Sequence, residues 1–168
     1  MEWLSNKNDT LFIGQSVKYS GNSIFNTLKT IKDKKKIEMP VFEDLQMGLS
    51  IGLALEGYVP ITCYPRFDFL ILACNQLINH LDKINIMSNG KFKTKAIIRT
   101  SVGSERPLHP QYQHVGDFSD SIQKVCKDIE IIRLEEPQQI FPAYKKALTR
   151  EDGKSTILVE YGDYYNEK

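Results

Sequence analysis

Apolar and β-branched residues gather in six short runs along the chain, at 10–14 (TLFIG), 36–41 (KIEMPV), 59–64 (VPITCY), 94–101 (TKAIIRTS), 130–134 (EIIRL) and 156–162 (TILVEYG). Each has the length and residue bias of a strand. The longer segments between them carry helical spacing instead. From Phe67 to Ile84 apolar side chains recur at three- and four-residue steps, which predicts one stripe about five turns long. The segment 137–148 places Ile140, Phe141, Tyr144 and Leu148 on one helical face. A third segment, EDLQMGLSIGLALEG, opens at Glu43 and closes at Gly57, a residue suited to a C-cap. Strand, helix and strand in regular succession imply parallel strands joined by crossover helices. The predicted fold is therefore α/β, an open and mostly parallel sheet with helices on both faces. No repeat, low-complexity tract or linker divides the chain, so 1–168 is expected to form a single domain.

In an open α/β sheet the ligand crevice lies beyond the carboxyl ends of the strands. Glu43, which follows the EMPV run and opens a helix, is placed at such a crevice. A carboxylate in a first helical turn also interacts favourably with the helix dipole, by about 0.3–1 kcal/mol, and Asp44 can serve the same structural role. Position alone leaves both readings open. Gly48 and Gly52 stand four apart on one face of this helix, where each interior glycine costs about 1 kcal/mol relative to alanine. Either the helix packs closely on its own sheet, or the small residues admit another helix or subunit.

Composition narrows the function by exclusion. Lys plus Arg number 22 against 21 Asp plus Glu, and the net charge of +1 gives no global attraction to nucleic acid or anionic lipid. The basic run KTIKDKKK, 29–36, has no interleaved aromatics and reads as a solvated helix end and loop. Cys63, Cys74 and Cys126 form no CxxC pair, which fits a reduced, intracellular protein. The start, MEWLSNKNDT, lacks the pattern of a signal peptide, and no run of about 18 apolar residues occurs. The expectation is a cytoplasmic protein with neither a membrane nor a nucleic-acid partner.

Through MPVFEDLQMGLSIGLALEGYVPITCYPRFDFLILACNQLIN the chain resembles the transketolase-like pyrimidine-binding domain of thiamine diphosphate enzymes, and within that group the beta subunit of the decarboxylating component of 2-oxo acid dehydrogenases. The motifs are Pro40 to Glu43, Gly48 and Gly52, Gly57 to Pro60, and Phe67 to Phe69. The likeness continues through INIMSNGKFKTKAIIRTSVGS, Gln113 and His114, and ends with ILVEYGDYY, so it spans nearly the whole chain. It implies the pyrimidine-binding subunit of a split thiamine diphosphate-dependent enzyme that decarboxylates a 2-oxo acid or transfers a two-carbon unit. A transketolase-like ketol transferase subunit and a non-catalytic regulatory partner domain are the alternatives.

The resemblance also assigns roles. In the family the residue matching Glu43 hydrogen-bonds a ring nitrogen of the cofactor's aminopyrimidine and sets its protonation state, as a carboxylate in a water-poor cleft can. Glu43 is thus the expected catalytic and cofactor-binding residue. Phe69 matches the aromatic ring that packs on the aminopyrimidine, and Phe67 is the other candidate; ordinary core is the competing reading. His114 matches a histidine near the thiazolium and substrate, where a group titrating near neutrality can move protons. His80 and His109 read as surface or structural histidines. The chain departs from the family's pattern in three places: Gln15 stands where it typically has Glu, Leu72 where it often has Gln, and Val115–Gly116 where it usually has Ser–Gln.

The family binds the diphosphate and Mg²⁺ through a GDG motif with an Asn further along, whereas this chain has only GDF at Gly116 and GDY at Gly162. A second chain is expected to carry that GDG…N domain and the Mg²⁺, with no metal ligands here and no activity from this chain alone. The Gly48/Gly52 helix is the expected self-association surface of a two-plus-two heterotetramer. The family's C-terminal domain is expected to be absent. The loop 104–113 (SERPLHPQYQ) is expected at the mouth of the site or against the partner.

Overall fold

Every residue of β3 (Val59–Cys63) and β4 (Ile97–Val102) is buried, as parallel strands covered on both faces require. They form the middle of a six-stranded sheet with β1 (Thr10–Gly14), β2 (Lys36–Glu38), β5 (Glu130–Leu134) and β6 (Thr156–Tyr161). All neighbouring pairs are parallel, in the order β2-β1-β3-β4-β6-β5. The computed structural model describes residues 1–103 and 110–162.

Alternation along the strands sends successive side chains to opposite layers. Phe12, Ile61, Ile97 and Leu158 pack beneath α1 (Glu2–Ser5), α2 (Ser23–Asn26) and α7 (Pro137–Thr149), whose Leu4, Ile24 and Tyr144 join the same cluster. Ile98, Ile157 and Val159 face the other way. There they meet Met47 and Ile51 of α3 (Glu43–Leu55), Phe67 and Leu70 of α4 (Phe67–Ile71), and Ile122 of α6 (Ser119–Val125).

The chain moves from β1 outward to β2, then returns past β1 to β3, so the strand order reverses between β1 and β3. Open sheets bind ligands at the carboxyl ends flanking such a reversal. The two strands come very close there. A Cβ on Gly14 would lie 2.5 Å from the carbonyl oxygen of Cys63, its register partner, so the close approach itself excludes a side chain.

Four expectations change in detail. The stripe from Phe67 to Ile84 buries Phe67, Leu70, Leu77 and Leu81 but leaves Ile71 39 % exposed, and it is not one helix: α4 stops at Ile71, Asn75–Leu81 is π-helical, and α5 occupies Ile84–Met87. Burial rather than helix type preserves the stripe, and the carboxylate of buried Asp82 ties its end to the amides of Lys127, Asp128 and Ile129. The basic run is not wholly solvated, since Lys36 opens β2, is 6 % exposed and pairs with Asp33 at 3.0 Å. β2 ends at Glu38, ahead of Pro40, which has no amide to continue a ladder. Phe141 leaves the α7 face predicted for it: it is 55 % exposed and meets Trp3 edge-on at 5.4 Å, while Ala143, Tyr144, Ala147 and Leu148 are buried. The expected stop of α3 holds, with Gly57 in the left-handed region at φ +89°.

A buried ion pair spans the centre of the sheet. Arg99 of β4 reaches Glu160 of β6 through Nε and Nη2, at 3.1 and 2.9 Å, and donates to Thr27 Oγ1 at 2.7 Å. The Tyr144 hydroxyl donates to the same carboxylate. Glu160→Ala is expected to lower the unfolding free energy by about 3–5 kcal/mol in denaturant melts, because the buried Arg99 guanidinium and Tyr144 hydroxyl lose the carboxylate they share. A loss below about 1 kcal/mol would contradict this.

Candidate functional site

The first turn of α3 is fastened to the carboxyl end of β3. Gln46 is fully buried and donates through Nε2 to Thr62 Oγ1 at 2.8 Å and to the Cys63 carbonyl at 3.1 Å. Ser50 Oγ donates back to the Gln46 carbonyl at 2.8 Å. The Tyr64 hydroxyl donates to the main-chain carbonyl of Glu43 at 3.2 Å. Burial pushes the Tyr64 phenol well above its ordinary range, and the negative charges of Glu43 and Asp44 add to the effect. Tyr64 therefore stays a neutral donor. These bonds set where Glu43 stands: at the start of α3, half-buried, beside the strand-order reversal.

The two candidate phenylalanines separate cleanly. Phe67 is fully buried and packs edge-on against Phe118 at 5.6 Å. Phe69 is half-buried, with its ring 4.9 Å from that of His114 at 34°. His114 has φ +62°, a conformation that costs a non-glycine residue about 1–3 kcal/mol and persists only where its surroundings enforce it. Its Nδ1 is buried with no hydrogen-bond partner among the described residues, as is Oδ2 of Asp68. Leaving such an atom unpaired costs about 1–3 kcal/mol, so both atoms favour the approach of a polar group. Arg66 Nη1 donates to the carbonyls of Gly103 at 3.2 Å and His114 at 2.8 Å.

At the end of β1, Gln15 is half-buried in a turn organised by Glu38. The Glu38 carboxylate accepts the amides of Ser16, Val17 and Lys18 at 2.5, 2.9 and 2.8 Å. Sequence reasoning passed over Glu38, Gln46, Tyr64 and Arg66. Two of these carried a signal: Glu38 is a charge inside the run KIEMPV, and Gln46 is a polar residue on the apolar side of its helix. His80 is exposed, Leu72 is 61 % exposed, and His109 lies outside the described residues with the rest of 104–109. Burial raises the thiols of Cys63 to about 11 and Cys126 to about 12, and lifts that of Cys74, so none is a ready nucleophile near neutrality.

The α3 glycines are not consumed by packing among the described residues. A Cβ on Gly52 would meet nothing within 4 Å, and one on Gly48 would meet only the end of Gln76, at 3.7 Å. Close packing on its own sheet does not explain either residue. Phe42, Leu45 and Leu49 are exposed beside them, at 56, 47 and 38 %.

No protein-family model matches the chain. Among curated proteins it is 26 % identical over 172 residues to the pyruvate dehydrogenase E1 component subunit beta of Gracilaria tenuistipitata var. liui, covering 99 % of this chain and 51 % of that protein. It is 27 % identical over 161 residues to the chloroplastic subunit beta-3 of the same component from Arabidopsis thaliana, covering 93 % and 38 %. The chain is similar to pyruvate dehydrogenase E1 beta subunits. It spans about half the length, or less, of these E1 beta relatives. Among solved structures, a split-gene transketolase described as an inactive beta4 tetramer superimposes with a TM-score of 0.70 at 14 % identity, over 96 % of this chain and 48 % of that one. A transketolase from Campylobacter jejuni gives 0.70 at 15 % identity, over 92 % and 23 %. The chain thus has a transketolase-like α/β fold. No described helix is long and apolar enough to cross a membrane.

The different settings of the two rings give a direct test. Phe67→Ala is expected to cost about 3–5 kcal/mol in urea unfolding, as for a ring removed from a packed core. Phe69→Ala should cost less than half as much. Equal losses would place Phe69 in the core and remove it from the site.

Proposed function

We propose that this chain is the pyrimidine-binding subunit of a split thiamine diphosphate-dependent enzyme that decarboxylates a 2-oxo acid or transfers a two-carbon unit. The observation that carries the reading is Glu43: a half-buried carboxylate opening α3 at the strand-order reversal, its backbone fastened by Tyr64 and its turn by Gln46. Phe69 offers a half-open aromatic face against His114, which has a buried ring nitrogen with no partner among the described residues. An acceptor, a stacking surface and an imidazole suit a planar aminopyrimidine and its attached ring. When bound, thiamine diphosphate would supply the carbanion-stabilising chemistry. Glu43 would hold a proton shared with a pyrimidine nitrogen, Phe69 would fix the ring plane, and His114 would donate or accept a proton at the substrate oxygen. Phe67, enclosed against Phe118, has the role of supporting α4 beneath Phe69.

On this reading the diphosphate and Mg²⁺ belong to a second chain with the GDG…N domain, and this chain alone is inactive. The open face of α3 is where a neighbouring helix packs, with Gly52 admitting its backbone and Leu45 and Leu49 supplying apolar area. The assembly is a two-plus-two heterotetramer. A ketol transferase is the second reading, favoured by the similarity in fold to transketolases. A panel of 2-oxo acids and ketose phosphates offered to the assembled pair separates the two.

Co-expression with a chain that carries the GDG…N domain should give thiamine diphosphate-dependent turnover. Glu43→Ala is expected to reduce it by about 10²–10⁴-fold without dissolving the assembly. Activity unchanged by Glu43→Ala would refute the assigned role, and a pair that forms but binds no thiamine diphosphate would favour a regulatory domain. Gly52→Ala separates helix stability from assembly. It should stabilise the isolated chain by about 0.4–1 kcal/mol in unfolding experiments while weakening subunit association in sedimentation. Stronger or unchanged association would remove Gly52 from the interface.

A further inference from the structure

Arg66 stands just ahead of α4, with extended backbone at φ −146° and ψ 155°. A single guanidinium nitrogen, Nη1, donates to two carbonyls from distant points of the chain, Gly103 at 3.2 Å and His114 at 2.8 Å. Both acceptors belong to residues in the left-handed region, with φ +72° and +62°. Glycine adopts that conformation freely, whereas histidine does not, and a bond to its carbonyl opposes relaxation of the backbone. Three residues beyond Arg66, the Phe69 ring lies against the His114 ring. The same short segment therefore holds His114 twice, once by its main chain and once by its side chain.

We infer that Arg66 is the positioning residue for His114: its guanidinium joins the carbonyls of Gly103 and His114 and so turns the imidazole onto Phe69. Geometry favours arginine here, because a planar fork with a fixed direction orients two acceptors that a flexible ammonium would meet less precisely. Arg66 acts through His114 and is not assigned a contact with substrate. The effect on turnover rests on the reading of His114 as a site residue, while the effect on ring position does not.

The test follows the three histidine rings of the full chain by NMR, with His114 assigned from His114→Gln. In the wild type, the His114 signals should be displaced by the ring current of Phe69, unlike those of exposed His80. Arg66→Met, which keeps the apolar stem, should return the His114 signals toward those of His80 and leave His80 unmoved. His114 signals unchanged in the folded variant would overturn the inference. Should Arg66→Met fail to fold, exchange of the Arg66 guanidinium protons in the wild type decides: slow exchange is expected, and free exchange overturns the inference. In the assembled pair, Arg66→Met should lower kcat by about 10–100-fold with KM little changed, as for a misplaced catalytic group. A wild-type pair without activity would refute the functional reading while leaving the NMR result standing.

Discussion

The contact between the Gln46 side chain and the end of β3 is the constraint on which the candidate site depends. One amide nitrogen reaches both a side-chain hydroxyl and a main-chain carbonyl, at full burial, three residues after Glu43. Its loss would leave those acceptors unpaired where water is excluded, so the first turn of α3 has little freedom to rotate. With that turn fixed, the Tyr64 hydroxyl finds the Glu43 carbonyl, and the carboxylate is held beside the sheet's reversal point without being buried by it. The carbonyl of Cys63 serves twice, accepting from Gln46 while standing where any side chain on residue 14 would collide.

A second layer of polar bonds sets the surroundings. Glu38 gathers three successive amides after β1, Asp82 gathers three amides before β5, and Arg66 joins two carbonyls after β4. In each case one charged side chain takes up several main-chain groups that leave a strand or approach one without a ladder partner. The cost of ordering a long side chain is thereby spread over two or three charge-assisted bonds. The site-bearing turns are rigid because single residues satisfy them, and rigid turns suit a site whose groups must be held in register. The outer face of α3 differs: its apolar residues are exposed and its glycines face nothing among the described residues beyond the end of Gln76, which is why assembly enters the functional reading.

The sheet was legible in the sequence because its signals are local. Runs such as TLFIG and VPITC carry strand chemistry within five residues, and the regular succession of strand and helix constrains the topology. The position of Glu43 at the start of α3 was legible for the same reason, since strand end and helix start are adjacent. What the sequence hid was non-local. The Arg66 bonds join segments far apart in the chain, and the different settings of Phe67 and Phe69 depend on Phe118 and His114 arriving from beyond β4. Likewise, apolar spacing after Phe67 reports which side is buried but cannot tell an α-turn from the π-turn at Asn75–Leu81, because both bury the same face.

The central claim is that the aminopyrimidine end of thiamine diphosphate sits at the carboxyl ends of β1 and β3, against Glu43, Phe69 and His114. Hydrogen exchange of the assembled pair, compared with and without thiamine diphosphate, tests it most directly. The account predicts slower exchange on cofactor binding in the first turn of α3, in 66–69 and around 114, with β5 and α7 unchanged. Protection confined to the partner chain, or to segments remote from α3, would contradict it.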